Sequence, residues 1–273
     1  MALNGGYGFR HDPMAYAESC DSLEAAMVRK HILASPKPGD EMILEKRIGE
    51  ILADQQPDGA LSDHELHALL ATGRDKIGEL MSLGASPERP EIKRALDYVL
   101  SRDGRDPIEE DTGEYGMPLG VALSLHAAGA ADEWMIRGAA QRRIDTADRW
   151  IRTSDLCPWT PETQIRTLWP ARHLDGRADT LITLGLQNIV DAIDTNSDTY
   201  NDPWGYVHVA GVVNHPLGRV IVGKLLSMIL RGQQEDGGWG EHSVKVFRAL
   251  DRYGFFEELR GLPPLPADDG GDA

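Results

Sequence analysis

Apolar residues along this 273-residue chain recur at threes and fours, the period of a helix with one buried face. Between Leu66 and Leu100 the series Leu66, Leu69, Leu70, Ile77, Leu80, Met81, then Ile92, Leu96, Val99, Leu100 is interrupted by Gly84, Pro87 and Pro90. That pattern predicts a helical hairpin with its corner at the glycine and prolines. The same two-part reading fits residues 14–56 with a break at 35–39, and residues 117–153 with a corner at 129–132. It also fits 162–195, broken at Asp175 and Gly176, and 206–234, broken at Asn214, His215 and Pro216. Strand signals are sparse, because the Val and Ile residues at 212–222 are few and carry a proline among them. The expected class is all-α.

The chain also repeats itself. Residues 51–64, ILADQQPDGALSDH, and residues 229–242, ILRGQQEDGGWGEH, agree at seven of fourteen positions in one order: helix end, Gln-Gln, Asp-Gly turn, acid and His. An aromatic-glycine step recurs at Tyr7-Gly8, Tyr115-Gly116, Trp204-Gly205 and Trp239-Gly240. Trp159-Thr160 keeps the aromatic without the glycine, and Gly59-Ala60-Leu61 lacks the aromatic. Six punctuation points follow, dividing the chain into five hairpins and a sixth opening helix from Ser243 to Tyr253. No such helix can bury its apolar face alone, so consecutive pairs must stack. Six pairs can close into a ring, with first helices inside, second helices outside and the turns on one rim. One domain is expected over 1–260, followed by an unstructured acidic, Pro- and Gly-rich tail over 261–273.

Charge narrows the partners. With 28 basic against 44 acidic residues the net charge is −16, a poor match for a phosphate backbone, so nucleic acid is excluded as the expected ligand. No stretch has the length of apolar chain that a membrane span requires. Only Cys20 and Cys157 are present, and the first residues lack a basic and apolar leader, so a cytoplasmic setting is expected. Nothing in the pattern fixes an oligomeric state.

The string Gln233-Gln234-Glu235-Asp236-Gly237-Gly238-Trp239-Gly240 resembles the glutamine-tryptophan repeat of the squalene cyclase and protein prenyltransferase β-subunit superfamily. The resemblance is sharp at this turn and at 51–60, and implies an α/α toroid. In such a turn Gln is expected to satisfy the last free carbonyls of its helix, Asp-Gly to make the reversal, and Trp to stack on the neighbouring hairpin. The acidic Asp-x-Asp-Asp signature of class II terpene cyclases is approached only by Ile108-Glu109-Glu110-Asp111. The prenyltransferase zinc set, an Asp-x-Cys pair and a later His, finds Asp155, Cys157 and His242, placed on different repeats from those a close match requires. Those three are a legitimate zinc set. No cofactor is otherwise demanded, although zinc or magnesium is admissible.

If the turns share a rim, the residues flanking each turn stand at the mouth of the central cavity. These include His11 and Asp12, Asp63 and His64, Glu162, Tyr206 and His208, Glu241 and His242, with Glu109, Glu110, Asp111 and Glu114 before the third turn. Of these Asp63, His64, Glu110, Asp111, His208 and His242 are the catalytic candidates, because a carboxylate beside an imidazole orients it and tunes its proton affinity. Helix capping accounts for the same residue types without any substrate. Tyr7, Tyr115, Trp159, Trp204, Tyr206 and Trp239 are the expected substrate-binding aromatics, able to steady a carbocation or to stack on a sugar. Arg166 joins them as an anion contact, within a group that includes Arg172, His173 and Arg177.

Three functions compete. The resemblance implies a terpene cyclase or prenyltransferase, in which Glu110, Asp111 or Asp63 protonates an alkene of an isoprenoid-type substrate. A carbohydrate lyase or glycoside hydrolase on the same toroid would use His208 with Tyr206, or two carboxylates, on a saccharide. A non-catalytic helical scaffold would bind a protein or peptide on its concave face. Overall aromatic content of 6% is low for a cavity enclosing a long polyene cation.

Overall fold

The computed structural model describes residues 6–61, 76–100, 172–195 and 202–266, with scattered positions between 129 and 169. Ten α-helices lie in this portion: α1 (Pro13–Ser19), α2 (Leu23–His31), α3 (Asp40–Ala53), α4 (Lys76–Leu83), α5 (Pro90–Leu100), α6 (Arg177–Thr195), α7 (Pro203–Val212), α8 (Pro216–Arg231), α9 (Ser243–Arg252) and α10 (Phe255–Arg260). Among the described residues the sole β-type pairing is an isolated parallel bridge between Gly8 and Pro264, so the chain is all-α. No helix among them is long and apolar enough to cross a membrane.

The helix starts are written in the sequence. α1, α5, α7 and α8 all begin with proline, whose missing N–H is no loss in a first turn. Asp12 caps α1 by accepting from the Met14 N–H at 2.9 Å, and Asp202 caps α7 by accepting from that of Gly205 at 2.9 Å. At the corner before α8 the cap is His215, whose Nδ1 accepts from the Leu217 N–H at 3.2 Å. The expected single helix after residue 14 is instead two, because Ser22 opens α2 by accepting from the Ala25 N–H at 3.1 Å.

The chain divides into two compact units, one comprising Met1–Ile43 with Gly185–Ala273 and the other Leu44–Leu184. In the first, the two ends of the chain are packed together. The Gly8 N–H donates to the Pro263 carbonyl at 2.7 Å, and the Leu265 N–H to that of Gly8 at 3.3 Å. Residues 261–266, expected to lack structure, are therefore held by backbone pairing that hydropathy does not reveal. Phe9 and Tyr16 from the N-terminal segment join Trp239, Phe247 and Phe256 in one aromatic cluster, with successive ring centroids 5.3–6.3 Å apart. Arg29 and Asp40 form a buried bidentate pair, and Arg29 Nη1 also donates to the carbonyls of Ala17 at 2.6 Å and Cys20 at 2.8 Å.

Also in this unit, α7 and α9 run side by side in the same direction. Trp204 at the start of α7 stacks on His242 just before α9, while Gly211 near the end of α7 faces Ala249. A Cβ on Gly211 would stand 3.2 Å from the Ala249 nitrogen, so the absence of a side chain sets how closely the helices approach.

The two glutamine-containing turns are built alike. In the second unit Gln56 N–H donates to Ala60 O (2.6 Å), Gly59 N–H to Gln56 O (3.0 Å), and Ala60 N–H to Asp58 Oδ1 (3.1 Å). In the first unit Gln234 donates to Gly238 (2.8 Å), Gly237 to Gln234 (2.9 Å), and Gly238 to Asp236 Oδ1 (2.8 Å). Gly59 and Gly237 hold φ of +105° and +89°, a conformation that disfavours any side chain. Each turn then docks on another helix in the same way. Gln55 Nε2 donates to Gly59 O and Glu91 O, and Gly59 lies against the Arg94 carbonyl and the Tyr98 Cβ. Gln233 Nε2 donates to Gly237 O and His11 O, and Gly237 lies against the Asp12 carbonyl and the Tyr16 Cβ.

Candidate functional site

Gln56 serves the end of its own helix as the sequence suggested, donating through Nε2 to the Asp54 carbonyl at 3.3 Å. Gln55 and Gln233 instead tie their turns to a separate segment, and Gln233 completes the arrangement by accepting from the His11 N–H at 3.1 Å. The carbonyl near the end of α8 is met by tryptophan: Trp239 Nε1 donates to Ile229 O at 2.7 Å. With its one donor used and only 3% of its surface exposed, Trp239 is a core residue and offers no face to a ligand.

Around the same turn stand the other sequence candidates of the first unit. Trp204 is half-buried, its Cη2 edge so near Gly232 that a Cβ there would lie 3.0 Å away. The His242 imidazole lies on the Trp204 indole with centroids 4.5 Å apart and planes 19° from parallel. His242 Nε2 is 3.7 Å from Glu241 Oε1, within ion-pair reach once protonated, and its Nδ1 is buried with no hydrogen-bond partner among the described residues. Burial, then the neighbouring Lys245 charge, pushes the imidazole pKa down; Glu241 and Asp202 pull the other way and lose. The group is consequently neutral around pH 7, which makes it a proton acceptor.

Tyr206 and His208 follow Trp204 on α7. Tyr206 is buried and His208 half-buried, so the tyrosine ring belongs to the core rather than to an open surface. Tyr7 is exposed at 37%, beside the Gly8 bridge. Asp63, His64, Glu110, Asp111, Tyr115, Trp159 and Arg166 lie outside the described residues, as do Asp155 and Cys157 of the zinc set. Among the described residues no group of three His, Cys, Asp or Glu side chains is placed to hold a metal. Of the arginine group, Arg172 is spent on Trp169, whose carbonyl it meets at 2.7 Å and whose ring it covers at 3.8 Å. Arg177 is paired with Asp175 and Asp145.

Two residues beside the site were not singled out by the sequence. Lys245 and Arg248 lie on α9 within two turns of His242, and with Arg252 they share about 60° of the helix circumference. The available signal was three basic residues at i, i+3 and i+7 in a strongly acidic chain.

Comparison of the chain with known protein families, with characterised proteins and with solved structures gives no match.

Proposed function

We propose that the protein is an enzyme on an α/α toroid of the terpenoid-cyclase and prenyltransferase type, spanning residues 1–260. In this reading it performs acid-initiated carbocation chemistry on an isoprenoid-type substrate. The observation that carries the fold reading is the shared docking of the two turns. The turn at 55–60 seats on α5, and the last turn, at 233–238, on α1 and the two residues before it, with a matching glycine contact and a glutamine amide donating to a nearby carbonyl in each. A last turn docked on the first helix, much as the turn at 55–60 docks on α5, supports the reading of a ring. Parallel α7 and α9, separated in sequence by α8, fit the alternation of inner and outer helices.

The chemistry is read from His242. A carboxylic acid, sought among Asp63, Glu110 and Asp111, gives its proton to an alkene carbon, forming a C–H bond and leaving a tertiary cation. Neutral His242 then takes a proton from a carbon next to the cation, and the C–H electron pair becomes the new double bond. Proton exchange with solvent returns both groups to their starting states, so the reaction is a net isomerisation and needs no oxidant or cofactor. The saccharide reading gains nothing from Trp204, since one indole face is already covered by imidazole.

Incubation of the purified chain with squalene and prenyl diphosphates of several lengths, followed by mass-spectrometric product analysis, tests this. Cyclised or rearranged product that falls at least about tenfold in His242→Ala supports it. Unaltered isoprenoids in the presence of folded protein would overturn it and leave the binding scaffold as the better account.

A further inference from the structure

Arginines that leave water normally take an oxygen partner with them, because an uncompensated guanidinium is costly to bury. The other buried or half-buried arginines with described side chains obey this. Arg10, Arg29, Arg47, Arg89 and Arg172 each donate to a carbonyl or carboxylate of the chain. Arg248 does not. It is half-buried on α9, and among the described residues no carbonyl or carboxylate accepts from it. The charge acting on it is the like charge of Arg252, which adds to burial in disfavouring the protonated form. One turn earlier Lys245, also half-buried, has no hydrogen bond or ion pair among the described residues, although the chain as a whole carries a charge of −16. Arg252, the third member of the arc, is already engaged through its Nε with Gly211 O at 2.7 Å.

Two half-buried cations a helical turn apart, both lacking anions in an acidic protein, are arranged for an anion that the chain does not supply. We propose that Lys245 and Arg248 form a binding site for the oxyanion of a ligand, a phosphate or carboxylate group. The guanidinium offers a planar pair of N–H donors and Lys245 a point charge from the preceding turn. The inference goes beyond the reaction proposed above, because it requires neither carbocation chemistry nor a closed ring.

Titration calorimetry on the full chain tests it, with inorganic phosphate, pyrophosphate, acetate and citrate as probes against sodium chloride at matched ionic strength. Saturable binding of the phosphates alone assigns a phosphoryl ligand, and binding of the carboxylates alone a carboxylate ligand; either result supports the site. Arg248→Gln and Lys245→Gln should each weaken that binding by at least about tenfold, the loss expected when one charge-assisted hydrogen bond is removed. Arg231→Gln, at an exposed arginine on α8, should leave it unchanged. Circular dichroism and thermal melting without added anion establish that the variants are folded. No oxyanion binding beyond that of chloride, or equal affinity in wild type and Arg248→Gln, would overturn the proposal.

Discussion

His242 and Trp204 form a stacked pair across two parallel helices, with planes 19° apart and centroids at 4.5 Å. The indole removes water from one face of the imidazole, and Lys245 adds a repelling charge, so the ring resists protonation. NMR titration should find His242 below the ordinary 6.5, with Trp204→Ala and Lys245→Gln each moving it upward. The stability contribution follows in sign. Because the folded pKa lies below the unfolded one, the contribution is complete above the unfolded value and is lost as pH falls through the folded value.

The amide of Gln233 makes three hydrogen bonds, one received from His11 and two given to His11 and Gly237, while only 5% of the residue is exposed. Gln233→Ala should cost about 2–4 kcal/mol, since polar groups lose partners in a buried place. Gln55→Ala, at the half-buried equivalent, should cost less, and chemical denaturation of both variants checks the ranking. Gly237→Ala should be the most damaging change in the turn. It would force a Cβ to 2.6 Å from the Asp12 carbonyl oxygen at a φ of +89°.

Asp40 and Arg29 illustrate the opposite electrostatic case from Arg248. Their side chains are 3% and 2% exposed, and Asp40 also accepts from the Lys37 N–H at 2.8 Å. Hydrogen bonding from Arg29 holds the carboxyl below its usual range against the effect of burial. Asp40→Asn should cost about 3–5 kcal/mol by leaving a buried guanidinium without its charge partner. The pair's contribution is full above the unfolded carboxyl pKa and disappears as pH falls through the folded one, so acid denaturation of the variant should be flatter with pH.

Arg248→Met should raise stability in the absence of ligand by about 1 kcal/mol, because a half-buried charge without an anion among the described residues is exchanged for an apolar chain of similar length. A higher melting temperature in anion-free buffer is the expected reading. A fall of comparable size would mean that the guanidinium is already satisfied in the free protein.

Much of the fold was legible where local chemistry decides it. The prolines at 13, 90, 203 and 216 and the Asp-Gly reversals mark helix starts and turns that tertiary packing does not move. The break at Ser22 was missed because apolar residues continue in helical phase on both sides of it, and only the cap reveals the new start. α10 was missed because six residues are too few to display a period. At the site, residue type singled out His242 and Trp204, which the structure stacks on one another, and Trp239, which it places in the core: an aromatic in a turn reads the same whether it faces a ligand or a core. Arg248 showed in the sequence only as one of three basic residues at i, i+3 and i+7, and draws notice once its surroundings prove to contain no anion among the described residues.

In the proposed function, catalysis begins when an acid of the protein protonates a carbon of the substrate. Running the reaction in deuterium oxide and weighing the product tests it most directly. Acid-initiated chemistry leaves a deuterium bound to carbon in the isomerised product, delivered by the exchanged carboxylic acid. Product formed without carbon-bound deuterium would contradict it, because the cation would then have arisen without proton addition.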